Sequence, residues 1–213
     1  MLNSVGDNQV MLITVAKGSI SDFTPKKIPA LDTFNKARFQ NQTFSDATLL
    51  SSEFQLELFQ HHAYAASQRL AAAVAATRSQ NADNKKLSLD SILDQHSALS
   101  QEFARAVIEH FILQEIVRKE KESVSPSSSI SPLTLVRQLH GLWRLDMDSN
   151  MVRRRYVDES VQERIRDLVD AAIHRVHENV DALVSAFGVP EHLLGPIAGD
   201  WVQANVVEGK EDI

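Results

Sequence analysis

Two hundred and thirteen residues are enough for one substantial hydrophobic core or two small ones. The chain is 43% apolar and 23% charged, with seven glycines and six prolines, a composition that fits a globular fold and argues against disorder throughout. Twenty-eight acidic against twenty-two basic residues leave a formal charge of −6, a field that repels phosphate backbones and argues against nucleic acid as a partner. Zero cysteines remove disulfides, thiolate metal sites and cysteine nucleophiles, and fit the reducing cytoplasm. No basic stretch precedes an apolar run near Met1, and no run reaches the roughly 18 apolar residues that a membrane span needs. The closing Glu211, Asp212 and Ile213 do not match a Ser-Lys-Leu peroxisomal address.

In chain order, Val10, Ile13, Val15, Ala16 and Ile20 lie close to helical spacing and predict a short first helix over 7–20, with Gly18 its weak link. Between Phe23 and Phe44, Pro25, Pro29, Lys26, Lys27 and several Asn and Gln make a linker or crossing segment. An Ala-rich stretch follows from about Ala47 to Gln80. Its stripe of Leu49, Leu50, Phe54, Leu58, Ala65, Leu70 and Val74 predicts a long helix, broken or continuous. Residues 81–86 are polar turn material, after which Ser88 or Asp90 caps the next helix.

That helix carries Leu99, Phe103, Val107, His110, Leu113 and Val117 at intervals of three or four, with Arg118, Lys119 and Lys121 near its C-terminus where the dipole favours cations. The Ser-rich run from Ser123 to Ser131 is a connection too polar to pack. Ser131 and Pro132 form a cap and first turn, and Leu135, Leu139, Leu142 and Trp143 then give an apolar face up to about Ser149. Last comes a sustained stripe of Val161, Ile165, Leu168, Val169, Ala172, Val176, Val180, Val184 and Phe187, stopped by Gly188 and Pro190. No strand pattern competes. The expected fold is all-α, a helical bundle from Ala47 onward with the first helix outside it.

Few residues point to chemistry by themselves. His174 and His177 sit three apart on a helix, a spacing that can share a metal, but no third ligand stands at a definite spacing and solvated or packed histidines explain the pair. Adjacent His61 and His62 splay by about 100° on a helix. Arg153, Arg154 and Arg155 are residue types that can clamp a phosphate, such as one on coenzyme A, but local pairing with the flanking Asp146, Asp148, Asp158 and Glu159 on a solvated helix end is the favoured reading. Trp143 and Trp201 are read as buried packing anchors sooner than as stacking platforms for a ring. No glycine-rich phosphate loop, nucleophile elbow or metalloprotease helix is present.

The opening GDNQVMLITVAKGSI, Gly6 to Ile20, resembles the segment that follows the catalytic glutamate in acyl-CoA oxidases and large acyl-CoA dehydrogenases, written E-G-(D/E)-N-x-V and leading into a helix. The resemblance continues in order through Phe54–Val74, His96–Val117, Leu135–Asp148 and Val180–Leu194. The last of these is similar to the family's L-V-D-A-F-x-(I/V)-P-(D/E) signature. It covers nearly the whole chain but only the C-terminal part of the family.

That resemblance implies a helical bundle like the acyl-CoA oxidase C-terminal domain, and a fatty acid β-oxidation chemistry. There a carboxylate removes the α-proton of an acyl-CoA thioester while the β-hydride passes to FAD, the cofactor carrying the hard step. The implied layout is residues 1–22 as the end of the flavin-binding helical domain, 23–46 as linker and 47–213 as the C-terminal bundle. Gly6, Asp7 and Asn8 match the loop that lies near flavin in the family, and are the implied cofactor contacts; helix capping is their plainer role.

Two departures shape the functional expectation. The position before Gly6, where the family has its catalytic Glu, is Val5, which cannot accept a proton. The family's closing Gly-x-Tyr-Asp-Gly finds only a partial echo in Gly199, Asp200 and Trp201. The chain is therefore expected not to catalyse alone, but to pack on a flavin-bearing subunit or on itself as a dimer, through a face such as Leu49–Val74 left bare without its usual partner. An autonomous helical interaction module and a fragment of a complete oxidase are the alternatives.

Overall fold

The structure, a computed structural model, describes residues 3–22, 27, 44–80, 87–122, 130–148 and 157–189, with side-chain surroundings from Val10 onward. Eight helices are present among these residues and no strand, as the periodicity predicts. They are α1 (Asn3–Ser19), α2 (Asp46–Leu49), α3 (Ser52–Gln80), α4 (Leu89–Gln95), α5 (Ser97–Glu122), α6 (Pro132–Met147), α7 (Glu159–His177) and α8 (Val180–Ser185).

Local chemistry sets several of the boundaries. The Ala-rich stretch is broken rather than continuous, because Ser45 caps α2 by accepting from the Thr48 amide at 3.2 Å, and Ser51 Oγ accepts from the Phe54 amide at 3.2 Å to begin α3. Ser88, not Asp90, caps α4, its hydroxyl accepting from the Ser91 amide at 3.2 Å. The expected next helix is interrupted at His96, where Ser100 Oγ donates to the Leu93 carbonyl and so satisfies an acceptor that the break would leave bare. Ser131 and Pro132 open α6 as expected, with the Leu133 amide donating to Ser131 Oγ at 3.3 Å.

The two longest helices, α3 and α5, run antiparallel through the molecule and carry a core at each end. At one end Phe54, Leu58 and Phe59 of α3 meet Leu113 of α5, Leu142 and Leu145 of α6, and Val161, Ile165, Leu168 and Val169 of α7. At the other, Ala63, Ala66, Leu70 and Val74 of α3 meet Phe103, Ala104 and Ala106 of α5, Ile92 and Leu93 of α4, and Ala16 of α1. Alanines at 63, 66, 104 and 106 let the pair approach closely along this stretch.

Four expectations are corrected by this packing. First, α1 is not outside the bundle: Ala16 is fully buried with Leu12, Ile13, Val15 and Ile20 packed around it, and Lys17 Nζ lies 2.7 Å from an Asp90 carboxylate oxygen on α4. Second, the Leu49–Val74 face is not bare; α5, α6, α7, α4 and α1 cover it between them. Third, Trp143 is no buried anchor but 45% exposed, because it stands one residue past the buried Leu142 and is rotated about 100° from it. Fourth, the final stripe does not stay buried to Phe187. It holds through Ala172, then a turn at Glu178 and Asn179 separates α7 from α8, and α8 buries no residue. Val184 is 56% and Phe187 82% exposed. Gly188 adopts φ of +62°, as a residue that ends a helix does. The linker expected at 23–46 falls almost wholly outside the described residues, as do Arg153–Arg155, Gly199, Asp200 and Trp201.

A buried polar cluster lies beside the first core. Arg137 of α6 donates Nε to Glu120 Oε2 at 2.6 Å, and its Nη1 to the Leu50 carbonyl at 3.1 Å and to Gln55 Oε1 at 2.9 Å. Gln55 Nε2 donates in turn to the Leu49 carbonyl at 2.9 Å, and Thr134 Oγ1 donates to the other Glu120 oxygen at 2.7 Å. Gln55 is fully buried and Arg137 nearly so, which raises the cost of losing either partner. Gly141 of α6 passes directly over Gln55, where a Cβ would lie 2.6 Å from the carboxamide carbon.

Two substitutions test this cluster. Gly141→Ala should lower unfolding free energy by about 1–3 kcal/mol in urea titrations, because the Gln55 amide is pinned at both ends and cannot yield. Glu120→Ala should cost about 3–5 kcal/mol by stranding the buried Arg137 charge, and the double change Glu120→Leu with Arg137→Met should cost less than that single one. A double variant weaker than Glu120→Ala would show that the ion pair itself, not the stranded charge, sets the cost.

Candidate functional site

Val5, Gly6, Asp7 and Asn8 all fall within the first turns of α1, which begins at Asn3, four residues ahead of the expected start. The tripeptide is therefore helical rather than a loop. Asn3 and Ser4 are residue types suited to a helix start. In that position the amides of Asp7 and Asn8 bond back to carbonyls one turn earlier, so they are not free to cradle a phosphate or a ring.

His174 and His177 lie exposed in the last turn of α7, consistent with solvated side chains. Among the described residues no group of three or more His, Asp or Glu side chains is placed to hold a metal ion. His61 and His62, adjacent and hence splayed, are both buried, at 3% and 5% exposure, and His62 Nδ1 lies 3.3 Å from Asp148 Oδ2 at the end of α6.

His62 and Asp148 belong to a cleft of about 480 Å³ that sequence reasoning missed. It lies among α3, α5 and α6, with Phe59, Ala106, Glu102, Arg105, Glu109 and Arg144 in its lining. The signal was present in the spacing of Ala98, Glu102, Arg105 and Glu109 at three and four residues, a helix face that is charged instead of apolar.

Every carboxylate in the cleft stands beside a cation or an imidazole. Glu102 meets Arg69 at 2.7 Å, Glu109 meets Arg144 at 2.7 Å with His140 Nε2 3.6 Å away, and Asp148 meets His62. Arg105 has no ion pair among the described residues, and the Arg144 guanidinium also lies 5.4 Å from the Trp143 ring centroid. The ion pairs of the cleft join α3, α5 and α6 to one another.

Burial holds His110 of α5 and His140 of α6 below the usual imidazole value of 6.5; at His140 the Glu109 carboxylate opposes the effect and Arg144 reinforces it. The fold therefore favours the neutral rings, and unfolding takes up protons once the pH drops below 6.5. Their contribution is whole above that pH and is lost as the pH falls through the depressed folded values. The denaturation midpoint should accordingly be lower at about pH 5.5 than at about pH 7.5, and replacing both rings by Gln should flatten the difference. Equal slopes with and without the two histidines would assign the acid sensitivity to other groups.

A protein-family model for acyl-CoA oxidase matches residues 51–200. Two relatives from Arabidopsis thaliana align along 94% of this chain: a putative peroxisomal acyl-coenzyme A oxidase 3.2 at 27% identity, and the peroxisomal acyl-coenzyme A oxidase 3 at 28%. The chain spans only 30% of the length of each. Among solved structures, acyl-CoA oxidase 1 from Yarrowia lipolytica superimposes with a TM-score of 0.71 at 20% identity, over 87% of this chain and 27% of its own. Acyl-CoA oxidase 3 of the same yeast gives 0.66 at 18%. These similarities reproduce the helical fold described above, and the family-model match, covering well over half of the sequence, shows that the chain belongs to the acyl-CoA oxidase family.

Proposed function

We propose that this chain is the C-terminal part of a FAD-dependent acyl-CoA oxidase, working in fatty acid β-oxidation only together with a flavin-bearing body. The observation that supports this most is the pairing of two coverages: 94% of this chain aligns with peroxisomal oxidases of which it spans 30%. In this reading residues 1–22 are the end of the flavin-binding helical part, 23–46 connect, and 47–213 form the C-terminal bundle.

The family reaction converts an acyl-CoA into a trans-2-enoyl-CoA, the α-proton leaving to a carboxylate and the β-hydride to FAD. This chain has Val5 where that carboxylate belongs, and the carboxylates of the cleft each stand beside a cation or an imidazole. Base and flavin are therefore assigned to the partner, and Gly6, Asp7 and Asn8 to one edge contact with that flavin. The partner is a flavin-bearing oxidase subunit, or a second copy of the chain in a larger assembly. No helix among the described residues is long and apolar enough to cross a membrane. The compartment proposed is the cytoplasm, against the peroxisome named for two relatives.

Purifying the tagged chain from its native cells tests the reading directly. It should bring down a yellow flavoprotein that releases hydrogen peroxide when given acyl-CoA, while the chain made alone should be colourless and inactive. A colourless, partnerless bundle from native cells would sink the proposal and favour an autonomous interaction module. An endogenous product much longer than 213 residues would assign the sequence to a complete oxidase. A fluorescent fusion should be diffuse; punctate fluorescence shared with a peroxisomal marker would overturn the cytoplasmic placement.

A further inference from the structure

We draw no further inference here: the strongest candidate, the exposed apolar patch of Val180 and Val184 on α8 with Phe187 just beyond it, which continues the buried stripe of α7 past the end of the bundle, carries nothing because nothing in the structure shows what covers it.

Discussion

The Arg137–Glu120 pair, with Gln55 held beneath it, fixes how four helices meet. Arg137 joins the end of α5 to α6, and through the Leu50 carbonyl and Gln55 it joins both to the α2–α3 junction. Apolar packing alone is tolerant of small shifts in register, since any neighbouring Leu or Val can fill a groove. A guanidinium whose donors must all find acceptors is not tolerant. Gly141 belongs to the same constraint, because only a residue without a side chain lets α6 lie against the Gln55 amide. The placement of α7 follows, since it packs on α6 and is tied there by Gln162, which donates to both the carbonyl and the carboxylate of Asp146.

With that junction set, the α3–α5 pair works as a beam with a separate core at each end. The end formed with α6 and α7 relies on large side chains, Phe54, Leu58, Leu113, Leu142 and Ile165. The end formed with α1 and α4 relies on close approach over alanines, with Phe103 and Leu70 as its bulk. The cleft lies between them on the α6 side, bridging Phe59 of the first core to Ala106 of the second. Its paired charges are what the surface of such a joint offers water: polar enough to stay solvated, and neutralised enough to hold three helices together.

Much of this was legible in the sequence, and the failures share a cause. The helices with unbroken three-and-four spacing, α5, α6 and most of α7, stand where the pattern put them, and the Ser131–Pro132 cap is present. Local patterns also placed the chain in its family, because the ordered motifs are contiguous segments. What periodicity could not give was the environment of each stripe. The apolar residues at 180, 184 and 187 continue the pattern of α7, yet the bundle ends before them. Trp143 reads as core by hydropathy, and a single residue's rotation turns it outward. The first helix reads as lying outside the bundle, whereas its docking depends on Ala16 meeting helices some eighty positions later. Gln55 and Arg137 are 82 residues apart, and neither looks unusual alone. The loop expected at Gly6–Asn8 is instead the first turns of α1, which starts earlier than the spacing predicts.

The tie between Asp46 and Arg164 extends across 118 residues, with Nε and Nη2 of the guanidinium on the two carboxylate oxygens at 2.7 and 2.5 Å. Closing so long a loop carries an entropic penalty that an exposed ion pair cannot offset by itself. On the ribosome, α3, α4 and α5 are complete before α7 emerges, and they share a core among themselves. The α1–α4 end can therefore form from segments already synthesised, whereas the α6–α7 end needs the last helices to reach Asp46. Until α6 and α7 dock, Phe54 and Leu58 lack the cover that Leu142, Leu145 and Ile165 give them in the finished fold.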